Sequence, residues 1–138
     1  LGRFDLDPCA APHPRPWFLA DENWSLPDQD GLKEAWHRRV WLNPPYGPLT
    51  GVWLERLADH GHGTALIFAR TETQMFFEQV WGRASGLLFL RRRLHYHHWP
   101  SGQRTKLNAG APSVLVAYGE RDLEALAASR LDGKLIRL

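Results

Sequence analysis

The sequence predicts an α/β domain with a mostly parallel sheet flanked by helices in three layers. Short apolar runs alternate along the chain with stretches of helical periodicity, the pattern of strands joined by helical crossovers. Two of those runs end abruptly in Asp7-Pro8 and Asn43-Pro44, where proline stops a ladder and turns the chain out of the sheet. The length of 138 residues, 43% hydrophobic and 23% charged, suits one globular domain over residues 1–138 and is too short for a second core.

Arg3-Phe4-Asp5-Leu6 reads as the first strand. Residues 8–16 hold four prolines and form an irregular loop. Trp17 to Ala20 is a candidate second strand, followed by an acid-rich loop to Gly31 and a brief helical turn over Leu32 to Arg38. Val40-Trp41-Leu42 is a strand entering the tight Asn43-Pro44-Pro45 loop. Val52, Trp53, Leu54, Leu57 and Ala58 recur at helical spacing until Gly61-His62-Gly63 stops the helix. Thr64 to Ala69 is a buried strand, and Glu72 to Trp81 a helix with Thr71 and Thr73 as candidate caps. Leu87 to Leu90 and Ser113 to Tyr118 are strands, Asp122 to Ser129 a short helix, and Leu135 to Leu138 a last strand.

No apolar run approaches the ~20 residues a membrane helix needs. The single cysteine, Cys9, excludes an internal disulfide and fits a reducing cytoplasm. The chain starts at Leu1 without methionine and enters a strand almost at once, which leads us to expect an N-terminal truncation. Net charge is only +2, yet residues 1–37 carry seven acids against three Lys or Arg, whereas residues 79–119 carry six Lys or Arg and no acid. A polyanion is drawn to the second region and repelled by the first.

Asn43-Pro44-Pro45-Tyr46 carries the most specific chemistry. The exocyclic amine of adenine is a poor nucleophile because its lone pair is delocalised into the ring. Two acceptors aimed at its hydrogens, the Asn43 side-chain oxygen and the Pro44 carbonyl, hold that lone pair toward an electrophile. Consecutive prolines stiffen the loop before substrate arrives. Tyr46 offers a plane for the base, worth ~1–3 kcal/mol, and Gly47 frees the exit from the turn.

Asp7, at the end of the first strand, is placed to accept hydrogen bonds from the cationic amino group of S-adenosylmethionine. The small residues at Cys9 and Ala10, after Pro8, permit close approach of the backbone. In the acidic loop, Asp30 is a candidate acceptor for the cofactor's adenine amine, and Asp21 or Glu22 for its ribose hydroxyls. Arg70, following the Thr64–Ala69 strand, is a candidate for a nucleotide phosphate, with a structural ion pair as the alternative. Arg91, Arg92 and Arg93, then Arg104 and Lys106, interleave with Tyr96 and Trp99 across a basic loop at 91–110, a composition suited to DNA phosphates and an unstacked base. Within it, Pro100 to Gly110 reads as a mobile polar loop. His95, His97 and His98 have no CxxC or HExxH partner, so no metal site is assigned.

Taken together these motifs resemble the phage-type DNA adenine-N6 methyltransferases (Dam-like). The resemblance runs from Phe4 to Tyr118. It rests on Leu6-Asp7-Pro8-Cys9-Ala10-Ala11, on Phe18 to Leu32 ending in Asp30-Gly31-Leu32, and on Val40-Trp41-Leu42-Asn43-Pro44-Pro45-Tyr46-Gly47. It continues through Ala69-Arg70-Thr71-Glu72-Thr73 with Phe76, Arg93-Leu94, and Ala111-Pro112-Ser113. It implies a Rossmann-like methyltransferase fold, S-adenosylmethionine as donor, adenine flipped from duplex DNA as acceptor, and cytoplasmic action in a bacterial or phage-infected cell. It further implies cofactor contacts at Asp7 and Asp30 and catalysis at Asn43 to Tyr46; direct transfer of the methyl group to the oriented amine needs neither metal nor covalent intermediate. Two features depart from the family: its helical segment before the first motif has no counterpart here, and the His95–His98 stretch is foreign to it. The same loop serves other planar amines and amides, so an RNA base or a protein glutamine is an alternative acceptor. An inactive nucleic-acid-binding relative is a further alternative.

Overall fold

The computed structural model describes residues 1–138. The elements in chain order are β1 (Phe4–Asp7), β2 (Ala20–Asn23), β3 (Val40–Leu42), α1 (Thr50–His60), β4 (Gly63–Phe68), α2 (Gln74–Phe76), β5 (Gly86–Leu90), β6 (Ser113–Tyr118), α3 (Glu120–Ala127) and β7 (Gly133–Arg137). The short α2 continues into a π-helical turn, Phe77–Trp81. The strands form one seven-stranded sheet in the order β2-β1-β3-β4-β6-β5-β7.

This architecture corrects the expected three-layer Rossmann-like methyltransferase fold with a mostly parallel sheet. The sheet is mixed. β2, β1, β3 and β4 pair in parallel, but β6 runs antiparallel to both β4 and β5, and β7 antiparallel to β5. Flanking helices are few: α1 has eleven residues, α3 eight and α2 three. Apolar periodicity reports burial in a strand and is silent on its direction, so the antiparallel half was not legible from it. The parallel connections after β1 and β2 hold no helix, because Pro8, Pro12, Pro14, Pro16 and Pro27 remove the amide donors a helix requires.

Three elements also differ from the reading in detail. β2 lies at Ala20–Asn23 and not at Trp17–Ala20; its polar sequence is held extended by pairing with β1, Phe4 facing Ala20 and Asp7 facing Asn23. Residues 32–38 form turns without a helix. The Glu72–Trp81 segment starts later, at Gln74, where the Thr73 hydroxyl accepts from the Phe76 amide at 3.3 Å.

Alternation along the strands divides the core. Leu6, Val40, Leu42, Ala65, Ile67, Val114 and Val116 meet Trp53, Leu54 and Leu57 of α1 on one face. Leu54 and Leu57 are wholly buried, each worth about 1.5–3 kcal/mol. On the other face Leu88, Leu115 and Ala117 meet Leu123 and Leu126 of α3. No helix is long and apolar enough to cross a membrane.

At the amino ends of β1, β3 and β4 a buried ion pair ties the sheet to α3. Arg39 and Asp122 are 4% and 2% exposed and 2.9 Å apart. Arg39 Nη1 also donates to the carbonyls of Leu1 and Arg3 at 2.7 and 3.0 Å, and Thr64 Oγ1 donates to Asp122 Oδ1 at 2.8 Å. The guanidinium lies 4.2 Å from the Phe4 ring centroid. Removing one partner strands the other charge away from water. Asp122→Ala is therefore expected to cost about 3–5 kcal/mol in urea unfolding; a loss below about 1 kcal/mol would show that Arg39 finds another partner.

Candidate functional site

The parallel pairings set Leu6 opposite Val40 and Leu42 opposite Ala65. The carboxyl ends of β1, β3 and β4 therefore share one edge, and Asp7, Asn43 and Arg70 emerge there side by side. β5 points the same way, because it and β4 are both antiparallel to β6. The basic loop that follows β5 leaves from this edge too.

Two hollows flank the Asn43–Tyr46 turn. A cleft of about 440 Å³ is lined by Pro8, Cys9, Ala10, Trp24, Asp30 and Pro45, among others. Gly31 closes its floor: a Cβ there would fall 2.0 Å from the Pro8 carbonyl oxygen, so the two loops approach this closely only with glycine. The second hollow, about 210 Å³, is lined by Tyr46, Thr50, Phe68, Arg70 and Met75.

Asn43 ends β3 with its Oδ1 enclosed and accepting no hydrogen bond. A buried acceptor left unpaired costs about 1–3 kcal/mol, and no donor of the chain reaches this one. Pro44 beside it is buried and Pro45 exposed. The turn is fixed from α1: Thr50 Oγ1 donates to the Pro45 carbonyl at 2.9 Å and accepts from the Gly47 amide at 3.1 Å. Gly47 leaves the turn at φ +144°, backbone space that side chains resist.

Tyr46 lies flat on Phe68, ring centroids 3.8 Å apart and planes 3° from parallel. One face of its ring is thus taken by the protein. Its hydroxyl is hydrogen-bonded to that of Tyr96. Burial, then this bond, raise the Tyr46 pKa well above its ordinary value, so the phenol stays protonated. The sequence marks Tyr96 only as an aromatic of the basic loop and does not single out Phe68. The signal for Phe68 was its place at the last position of a strand, on the edge where Asn43 emerges.

Asp7 is 5% exposed. Its Oδ1 accepts from the Cys9 amide at 3.1 Å. Burial pushes its carboxyl up to about 7, against lowering by the Cys9 amide and by Arg15. Burial likewise raises the Cys9 thiol to about 12, leaving it an un-ionised lining group. Asp30 lines the cleft while holding its own turn: Oδ1 accepts from the Leu32 amide at 3.0 Å and Oδ2 pairs with Lys33 at 3.2 Å. Those contacts hold its carboxyl below the ordinary range, the amide bond first. Asp21, a candidate for ribose, is not at the cleft. It sits within β2 and pairs with Arg3 at 2.8 Å. Glu22 lies 3.4 Å from His37.

The expected cations divide into two groups. Arg70 makes no ion pair; its guanidinium lies 6.0 Å from the Phe68 ring centroid at the rim of the smaller hollow. Arg92, Arg104 and Lys106 are exposed and carry no ion pair. Arg91, by contrast, pairs with Asp132 at 2.7 Å. Arg93 Nη1 donates to the carbonyls of Ala109 and Gly110 at 3.2 and 2.9 Å and so closes the base of the loop. Residues 94–109, which take in most of the Pro100–Gly110 loop, fold back as a narrow arm, with Thr105 bonded to the Tyr96 carbonyl and His98 to that of Gln103, both at 2.8 Å. His97 Nδ1 contacts the Gly102 carbonyl at 2.8 Å, and no three ligating side chains converge anywhere.

The raised Asp7 pKa fixes a sign. Between 3.8, the ordinary value, and about 7, the unfolded chain has released a proton that the native state still holds. Stability therefore falls as pH rises through that window and levels off above it. Urea unfolding from pH 4 to 8 is expected to show this decline in the native protein and a flatter profile in Asp7→Asn; superimposable profiles would place the carboxyl in water. No family model, curated protein or solved structure matches the chain.

Proposed function

We propose that the chain is an S-adenosylmethionine-dependent methyltransferase acting on the exocyclic N6 amine of adenine in DNA. The observation that carries this reading is the enclosed Oδ1 of Asn43, which accepts no hydrogen bond, in a turn whose Pro45 and Tyr46 line the two hollows. An amine bearing two hydrogens and needing its lone pair aimed in one direction is the donor such an acceptor suits. The Pro44 carbonyl is the second acceptor, and the Thr50 bond to Pro45 keeps both from relaxing away. Preorganised acceptors of this kind stabilise charge developing on the nitrogen without reorganising during the reaction.

The larger cleft fits the methyl donor. Its volume of about 440 Å³ lies within the usual range for small-ligand sites. S-adenosylmethionine would supply an electrophilic methyl group on a sulfonium. Asp7, ionised more fully as pH passes about 7, would accept from its ammonium group. Trp24, 6% exposed and lining the cleft, would cover its adenosine, and Asp30 would meet the adenine amine. The smaller hollow would take the substrate base against the free face of Tyr46, with Arg70 at its rim.

Arg92, Arg104 and Lys106, unpaired in a segment without acids, favour nucleic acid over a protein glutamine as acceptor. Asn43→Ala is expected to lower methyl transfer to DNA at least ~10²-fold with little change in thermal unfolding. Transfer of labelled methyl from S-adenosylmethionine measures this, and near-normal turnover in the variant would refute the assigned role. Raising salt should weaken DNA binding steeply; binding indifferent to salt would remove the basic arm from the account.

A further inference from the structure

The basic arm touches both halves of the site, and that double contact has a consequence for how the two ligands bind. At its tip, Trp99 Nε1 donates to the carbonyls of Pro12 and Pro14 at 2.8 and 3.0 Å. Those prolines belong to the loop whose earlier residues, Pro8 to Pro12, wall the larger cleft. Nearer its base, Tyr96 meets the Tyr46 hydroxyl beside the Asn43 turn. Trp17 packs edge-on against His97, 6.2 Å between centroids, adding a further contact between loop and arm.

The arm has little else to hold it. Between residues 94 and 109 only Ala109 is buried, so the docked position depends on a few polar and aromatic contacts at its two ends. An element so weakly anchored has a low free energy of opening, and anything that favours its docked form shifts its population.

We infer that Trp99 is a positioning residue that couples the two halves of the site: filling the cleft strengthens DNA binding, and DNA strengthens binding in the cleft. This rests on the transferase reading given above. A ligand in the cleft restrains the Pro8–Pro12 backbone and with it the carbonyls that receive Trp99. The docked arm then presents Arg104 and Lys106, which make no ion pair, to phosphates and keeps Tyr96 on Tyr46. DNA gripped by those cations draws the arm to the same position from the other side. Because both ligands favour one state, the effect is equal in each direction.

The test is a binding cycle with S-adenosylhomocysteine and a mixed-sequence DNA duplex, measured by calorimetry on the whole chain. In the native protein, saturation with either probe is expected to tighten the other about fivefold or more. Trp99→Phe keeps an aromatic ring but removes the donor, and Tyr96→Phe removes the hydroxyl at the opposite contact. Each is expected to reduce the mutual effect to less than about twofold while thermal unfolding stays unchanged, since Trp99 is 48% exposed. Coupling that persists in either variant overturns the inference, as does a native protein that binds both probes independently. A native protein that binds neither probe overturns the transferase reading and this inference together.

Discussion

The site depends on three parallel strands lying next to one another. With β1, β3 and β4 adjacent and codirectional, the residues after Leu6, Leu42 and Phe68 have nowhere to emerge except the same rim. The opposite rim is clamped by Arg39, whose guanidinium gathers the carbonyls of Leu1 and Arg3 and the Asp122 carboxylate. Arg39 reaches β1 through its backbone as well: its carbonyl accepts from the Asp5 and Leu6 amides at 2.9 and 3.2 Å. Register at one end of these short strands is thereby set by a charge pair that cannot slip without exposing an unpaired ion to a dry interior.

What the rim holds is a pair of hollows on either side of one turn. The Asn43–Tyr46 turn stands between them, tethered by Thr50 from the first turn of α1. Behind the turn, at the end of β1, burial raises the proton affinity of Asp7. At the smaller hollow, Tyr46 is backed by Phe68, a support that makes its outer face a stiff platform.

The arm after β5 adds a feature that a pocket alone would lack. Its cations face outward, yet its indole and phenol reach inward to the two loops forming the site. The arm is thus polar on its outer side and aromatic where it meets the two loops. Of the acids of residues 1–37, Asp21 answers Arg3, and Asp30 answers Lys33 while lining the cleft.

By itself the sequence determined the strands that proline or glycine brackets. Val40–Leu42 and Ser113–Tyr118 have the bounds their apolar runs indicated, and the Asn43 turn was recognisable from its own residues, because local stiffness and hydrogen-bonding capacity are written in residue types. Tertiary structure alone decided strand direction, the polar strand β2 and the company each side chain keeps. Asp21 and Asp30 look alike in a row of acids, but only one lines the cleft; Arg91 and Arg92 are neighbours, but only one meets Asp132. Phe68 beneath Tyr46 and Trp99 on the Pro12 carbonyl join residues 22 and 87 positions apart. The physical reason is that pairing energy depends on which groups meet in space, and no window along the chain contains both members of such a pair.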